Sequence, residues 1–195
     1  MQRRKDAYYT RAKAEGYRSR AAYKLLEIQR RYRIVRPGDH VVDLGCAPGA
    51  WLQVAADLTG PRGRVVGVDL AKVAATSSTV TCVQANVLDP ATRERALAAL
   101  GCRPTVVLSD MAPKLTGIGP RDEARCAELV AAALDFAVAT LAPDGRLVVK
   151  VLTGIDTAEV LATARERFLA CKLTRPEATR KGSTECYLVA TGFRG

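Results

Sequence analysis

His40-Val-Val-Asp43-Leu-Gly45-Cys46-Ala47-Pro48-Gly49-Ala50-Trp51 decides the fold. A short apolar run ends in a glycine-rich turn and resumes as the apolar stretch Ala50–Leu58. Such a turn between a buried strand and a helix lets the backbone approach a nucleotide-like ligand. The next apolar run ends in Asp69, placed to accept hydrogen bonds from both hydroxyls of a ligand ribose. Two features argue against a dinucleotide. The G-x-G-x-x-G spacing is absent, and Pro48 removes a backbone N–H where a pyrophosphate needs donors. Asp43 adds negative charge at the same place. A phosphate-free ligand with a cationic centre fits better, and S-adenosylmethionine is one. A Gly/Pro turn that binds nothing is the alternative.

Outward from this turn the pattern alternates. Strands are expected at His40–Leu44, Arg64–Asp69, Thr79–Gln84, Thr105–Asp110, Gly145–Val151, about 170–174, and Glu185–Thr191. Helices are expected at Ala50–Leu58, near Ala91–Leu100, around Arg121–Leu141, and at Thr157–Phe168 with an Asp156/Glu159 capping box. The alternation implies a mostly parallel sheet covered on both faces. The last two strands lack a crossover helix between them, which suggests an antiparallel pair. Upstream, Ser19 is positioned to cap a helix over about 20–32, with Ala21, Leu25, Ile28 and Tyr32 on its apolar face. Lys24 falls beside that face rather than opposite it.

The 195 residues are 48% hydrophobic, enough to give one compact domain a core. No apolar run reaches membrane-spanning length, and the basic start Met1-Gln-Arg-Arg-Lys5 leads into no signal-like segment. A cytoplasmic monomer is expected. Six scattered cysteines without a CxxC pair, and one histidine, give zinc no plausible ligand set, so no metal is expected. The net charge of +10 is concentrated: residues 1–36 carry +9 and the remainder +1. Five tyrosines lie within that basic segment, and rings among cations can stack on bases. We read 1–36 as a basic N-terminal arm and helix that contacts RNA, and 37–195 as the catalytic body. A solubilising tail is the bland alternative.

Four polar residues fall on one sheet edge. Asp110 and Lys150 end buried strands, Glu185 starts the antiparallel one, and Lys24 lies within reach. Each alone has an ordinary reading, a turn cap or a snorkelling stem. Together they suit methylation of a ribose hydroxyl, a poor nucleophile that must lose its proton as it attacks. Lys150 is the candidate general base. A lysine serves as base where burial or a second cation favours its neutral form, an effect that carboxylates oppose. Asp110 and Glu185 would orient the lysines. A sulfonium leaving group is already activated, so the reaction requires no metal.

The stretches Arg18-Ser-Arg-Ala-Ala-Tyr-Lys24-Leu, Asp43–Trp51, Ser109-Asp-Met-Ala-Pro113, Val148-Val-Lys-Val151 and Glu185-Cys-Tyr-Leu-Val-Ala-Thr-Gly192 resemble the FtsJ/RrmJ (RlmE) family of ribosomal RNA 2′-O-ribose methyltransferases. The resemblance implies a Rossmann-like S-adenosylmethionine-dependent methyltransferase fold, with a seven-stranded, mostly parallel sheet and an antiparallel last strand. It implies a catalytic Lys24–Asp110–Lys150–Glu185 tetrad. It places the cofactor on Gly45, Pro48, Gly49, Trp51, Asp69, Asn86 and Asp110. Asn86 stands where the family has an aspartate; its amide oxygen can still accept from the adenine amino group, without the charge. RNA contacts are expected at Arg18, Arg20, Arg180 and Lys181. The family implies a uridine in the A-loop of large-subunit rRNA, within the large ribosomal subunit. Methylation of another RNA such as tRNA, a dinucleotide-dependent oxidoreductase and a non-catalytic ribosome-assembly factor are the competing readings.

The charge distribution makes substrate and cofactor binding separable. Replacing Arg3, Arg4, Lys5, Arg11 and Lys13 with Ala is expected to weaken RNA binding and flatten its salt dependence, by roughly 0.7–0.9 in log–log slope per lost phosphate contact. S-adenosylmethionine affinity should barely move. An unchanged slope across a salt series would remove the arm from the RNA interface.

Overall fold

The computed structural model describes residues 7–113, 116–117, 119–152, 155–180, 182–183 and 185–195. The elements run α1 (Ala7–Ala14), α2 (Ala22–Tyr32), β1 (His40–Leu44), α3 (Ala50–Thr59), β2 (Arg64–Asp69), β3 (Val80–Gln84), α4 (Ala91–Leu100), β4 (Val106–Ser109), α5 (Gly119–Thr140), β5 (Arg146–Val151), α6 (Thr157–Arg167), β6 (Phe168–Thr174) and β7 (Cys186–Phe193). Seven strands form one sheet in the order β3-β2-β1-β4-β5-β7-β6. β1 to β5 pair in parallel, while β7 runs antiparallel to both β5 and β6. The chain winds outward from β1 to β3, then returns to β4 on the other side of β1. That reversal opens a crevice beyond the carboxyl ends of β1 and β4, where ligands of open α/β sheets bind.

Alternation along the buried strands feeds two apolar layers. Val42 and Leu44 of β1 join Leu100 of α4, Phe136 of α5 and Val160 of α6 on one face. Val41 joins Leu25 and Ile28 of α2 and Trp51, Leu52 and Val54 of α3 on the other. Helix α2 is therefore part of the body, although it belongs by sequence to the basic N-terminal segment. Its amphipathic face brings Leu25 and Ile28 to complete burial while Arg30, Arg31 and Arg33 stay exposed.

Local departures from the sequence reading have physical causes. α2 begins at Ala22, and its N-cap Ala21 makes no side-chain cap. Ser19 Oγ instead accepts from Ala21 N–H in the preceding turn, at 3.2 Å. Asp156 does cap α6, accepting from Ala158 N–H at 2.8 Å and Glu159 N–H at 3.2 Å. α6 passes into β6 at Phe168 with no loop, because the buried Phe168 ring packs on Phe193 with centroids 5.3 Å apart. Helix α1 is unforeseen. It is anchored through the buried Ala12, the Tyr8 ring 5.4 Å from that of Tyr23, and Tyr23 Oη donating to Glu15 at 2.9 Å.

The amino end of the sheet is tied by a buried ion pair. Arg146 Nη2 lies 2.7 Å from Asp39 Oδ1, with side chains 7% and 9% exposed. Arg146 Nη1 also donates to Ile34 O at 2.6 Å, and Thr105 Oγ1 donates to Asp39 at 2.8 Å. The cluster joins β5, the α2–β1 connection and the start of β4. Arg146→Ala strands the Asp39 carboxylate and is expected to lower unfolding free energy by about 3–5 kcal/mol. Urea denaturation measures it. A loss below about 1 kcal/mol would mean that water reaches Asp39 and takes over the arginine's place.

Candidate active site

Strand register assembles the site. Ser109 pairs with Val149, so Asp110, one residue on, comes level with Lys150, and Lys150 pairs across with Tyr187. Three strands thus present an acid, a base and a phenol in a row at one sheet edge. Lys150 Nζ donates to Asp110 Oδ1 at 2.9 Å and to Asp110 O at 2.6 Å. Tyr187 Oη donates to the same Oδ1 at 2.7 Å. Glu185 lies just before β7, and its Oε1 is 2.6 Å from Lys24 Nζ. Lys24 Nζ is in turn 3.9 Å from Asp110 Oδ1. The four residues named from sequence therefore form a continuous row of alternating charge, Glu185–Lys24–Asp110–Lys150. All four side chains are less than a fifth exposed.

Tyr187 escaped the sequence reading. It is wholly buried, its ring lies 5.9 Å from that of Trp51, and Lys24 Nζ sits 5.8 Å from its centroid. Burial first, then Asp110 and Glu185, push its phenol well above the ordinary tyrosine range, so it stays a donor. The signal was present: in a strand, residues two apart share a face, and Tyr187 follows Glu185 by two.

Two openings flank the row. On one side a cleft of about 820 Å³ is walled by residues that include Gly45, Asp69, Leu70, Asn86, Leu88, Asp110 and Met111. Its size lies within the usual range for a cofactor site. Gly45 has φ +74°, and a Cβ there would fall 2.4 Å from Met111 Cγ, so the turn admits no side chain. Asp69 holds the turn through Oδ2, which accepts from Ala47 N–H at 2.9 Å, and its Oδ1 accepts from Ala71 N–H at 2.8 Å. Both oxygens keep a lone pair for a ligand hydroxyl. Asn86 Oδ1 accepts from Leu88 N–H at 3.0 Å. Of the remaining expected cofactor residues, Pro48, Gly49 and Trp51 are not among the walls of this cleft. The Trp51 side chain is buried and donates to Ala21 O at 2.8 Å.

On the other side a pocket of about 510 Å³ is lined by Ser19, Arg20, Ala21, Lys24, Arg180, Ser183 and Glu185. Burial first, then the neighbouring Arg180, pulls the Arg20 guanidinium below its ordinary value. Arg20 donates to Ala178 O and lies over the Tyr8 ring, at 5.7 Å from its centroid. Lys181 lies outside the described residues. Arg18 turns away from this pocket, its guanidinium donating to Pro48 O and Ala74 O at 3.2 and 2.7 Å. Arg11 of α1 is engaged with Glu15 at 2.7 Å and with the Tyr23 ring at 4.9 Å.

Asp43 lies in β1, two residues before Gly45 of the cleft wall. Its carboxylate is buried, and neither oxygen has a hydrogen-bond partner among the described residues. Burial first, then Asp110 and Asp69, raise its proton affinity well above the ordinary carboxylate range. Three acids thus share the carboxyl ends of β1, β2 and β4. Lys150 already offsets Asp110, and burial favours the protonated form of Asp43, so the three do not sum to a strong negative field. A buried carboxylate without a partner still suits a ligand that brings positive charge, which a sulfonium and an α-ammonium both supply. Among the described residues no group of three His, Cys, Asp or Glu could hold a metal ion.

A doubly wound sheet with an antiparallel β7, an acidic nucleoside-sized cleft and a lysine–carboxylate row beside it define a Rossmann-like methyltransferase domain. The FtsJ-like methyltransferase family model matches residues 17–193, and the chain belongs to that family. A chain from Methanoculleus marisnigri named Ribosomal RNA large subunit methyltransferase E is 47% identical over 191 residues, which is 98% of this chain and 93% of that one. Its namesake from Methanothermobacter thermautotrophicus is 40% identical over 195 residues, covering all of this chain and 92% of the relative. The crystal structure of a Plasmodium falciparum protein assigned as a ribosomal RNA methyltransferase superposes with TM-score 0.82 at 25% identity, over 92% of this chain and all of that one. Fibrillarin from Aeropyrum pernix, crystallised with natively bound S-adenosylmethionine, shares the fold with TM-score 0.58 at 15% identity, over 88% of this chain and 73% of that one. No described helix is long and apolar enough to cross a membrane.

The buried Asp43 has a stability consequence with a definite sign. Its folded proton affinity exceeds the unfolded one, so its contribution is fully present below the ordinary carboxylate range. It is lost as pH rises through the raised folded value. Asp43→Asn is therefore expected to raise the melting temperature of the ligand-free protein at pH 7–8, by about 2–4 °C for each kcal/mol recovered. The difference from wild type should shrink toward pH 4, and cofactor affinity should fall in the same variant. Parallel melting curves at every pH would show that Asp43 is not a strained acid.

Proposed function

We propose that the protein transfers a methyl group from S-adenosylmethionine to a ribose 2′-hydroxyl of large-subunit ribosomal RNA, with a uridine of the A-loop as its target. The observation that carries this reading is the buried Glu185–Lys24–Asp110–Lys150 row between an acidic cleft and a basic pocket. Gly45, Asp69, Asn86 and Asp110 line the cofactor side. When bound, S-adenosylmethionine supplies an electrophilic methyl group on a positively charged sulfur.

The other steps belong to the chain. Arg20 and Arg180 draw the RNA backbone into the pocket and bring the target ribose against Lys24 and Lys150, and Lys181, next to Arg180 in sequence, is proposed as a further RNA contact. Lys150 donates two hydrogen bonds, to Asp110 O and Oδ1. To act as base Lys150 must first give up a proton to solvent; the two bonds to Asp110 then hold its remaining N–H groups and leave its lone pair for the 2′-hydroxyl proton. As the oxygen attacks the methyl carbon, the O–H bond breaks and the proton moves to Lys150 Nζ. Lys24, fixed by Glu185, faces the developing negative charge on the oxygen. Tyr187 holds Asp110 so that the lysine points at the acceptor. In-line alignment of hydroxyl and methyl supplies much of the rate. The basic segment 1–36 serves the same substrate, with the protein acting as a cytoplasmic monomer on rRNA within the large subunit.

Mapping ribose methylation in rRNA from cells with and without the gene tests the reaction and the target together; a missing A-loop methyl group in the deletion strain is expected. For the base, Lys150→Ala is expected to lower the single-turnover rate on the order of 10²–10⁴-fold, with calorimetric cofactor affinity largely kept. Near-normal turnover in that variant would sink the assignment of Lys150.

A further inference from the structure

Arg18 is charged and lies on the surface two residues from Arg20, so its sequence places it with the RNA-binding arginines. Its geometry points elsewhere. The side chain leaves the α1–α2 connection and bridges two loops distant in sequence. Nη1 donates to Pro48 O at 3.2 Å and to Ala74 O at 2.7 Å, and Nη2 donates to Ala75 O at 3.4 Å. Pro48 belongs to the turn after β1. Ala74 and Ala75 follow Leu70 and Ala71, which wall the cofactor cleft. The backbone of Arg18 is fixed as well, its N–H donating to Gln53 Oε1 on α3 at 2.8 Å. Gln53 Nε2 returns a bond to Gly16 O at 2.9 Å. The backbone at position 49 favours glycine by its conformation, and the Arg18 side chain packs against it. Gly49 has φ +108°, and a Cβ there would lie 2.6 Å from Arg18 Nη1.

We infer that Arg18 is a positioning residue for the cofactor, a strut that fixes the 45–49 turn and the 70–75 loop relative to each other, rather than an RNA contact. Asp69 braces that turn from the cleft side by accepting from Ala47 N–H. Arg18 braces it from the outside, so the turn is held between an anion and a cation. A guanidinium suits this task because its planar fork carries several donors that can meet carbonyls on separate strands of backbone, whereas an ammonium is a single point. The inference rests on the proposed use of the cleft for S-adenosylmethionine.

The test uses full-length Arg18→Ala, with Arg18→Lys as the milder variant should alanine fail to fold. Three readouts apply to each: calorimetric S-adenosylmethionine affinity, RNA affinity across a salt series, and hydrogen exchange at the amides of 45–51 and 70–75 without ligand. Arg18→Ala is expected to weaken cofactor binding about tenfold or more, the usual scale for losing a charged hydrogen-bonding group. Arg18→Lys should recover part of that. The cofactor KM should rise while kcat at saturating cofactor stays within about threefold, and both loops should exchange faster. The RNA salt slope should stay at the wild-type value. A slope lowered by roughly 0.7–0.9, with cofactor affinity unchanged, would overturn the inference and return Arg18 to the RNA interface. A lower melting temperature with unchanged cofactor affinity and loop exchange would overturn it too, leaving Arg18 a general stabiliser. Should wild-type protein bind no S-adenosylmethionine, the proposed function falls, and the exchange rates of the two loops still decide whether Arg18 is their strut.

Discussion

One carboxylate oxygen organises the active edge. Asp110 Oδ1 receives Lys150 at 2.9 Å and Tyr187 at 2.7 Å, and has Lys24 3.9 Å away. Buried charges are tolerated only when paired and hydrogen-bonded, and this oxygen satisfies that demand for three partners at once. The row that results is electrically neutral, two cations against two anions. The protein can therefore exclude water from the site without stranding a charge. Strand pairing does the positioning: β4, β5 and β7 bring Asp110, Lys150 and Tyr187 level, and α2 adds Lys24 from the opposite layer. In the proposed reaction the group that accepts a proton would gain from such fixation, because reorganisation is done during folding rather than during the reaction.

The neighbouring cleft follows the opposite rule. Asp43 is buried without a partner among the described residues, in the field of Asp69 and Asp110. Asp110 is answered by Lys150 and Lys24, so the uncompensated burial falls on Asp43. Strain of this kind collects at functional sites and is borne by the rest of the fold. Here the balance comes from two continuous apolar layers and from the Arg146–Asp39 pair at the far end of the sheet. The stable end and the strained end of one sheet are thus divided between folding and ligand.

Much of this was legible in the sequence because it rests on local pattern. Apolar runs locate the strands to within a residue or two, and the missing crossover helix predicts the antiparallel β7. Asp110, Lys150 and Glu185 are visible because charged residues stand out at the ends of apolar runs. What stayed hidden depends on contacts between distant positions. Tyr187 looks like any strand aromatic until its hydroxyl meets Asp110, 77 residues away. Helix α1 has no amphipathic period to betray it, being fixed by rings and by Glu15. Trp51 sits in the motif that marks the cofactor turn, yet its indole bonds to α2 and packs in the core. Motif membership thus located the turn without saying which way each side chain faces.

Net charge is the coarsest of the sequence signals, and the structure divides it. The +9 of the first 36 residues reads as one polyanion-binding arm. In the folded chain its members serve different ends. Lys24 is buried beside Glu185, Arg11 is engaged with Glu15, Arg18 spans two loops of the cofactor cleft, and Arg20 lines the basic pocket with Arg180. Arg30 of α2 and Arg33 at its C-cap are exposed. A guanidinium that has already met carbonyl acceptors offers a phosphate fewer N–H groups than one that has not. The charge total therefore overstates the RNA contacts of the segment, and the salt slope of binding should follow the uncommitted cations rather than the sum. On the proposed function, one short segment would then serve both ligands. Residues two apart in sequence, Arg18 and Arg20, point to opposite sides of the same lysine–carboxylate row.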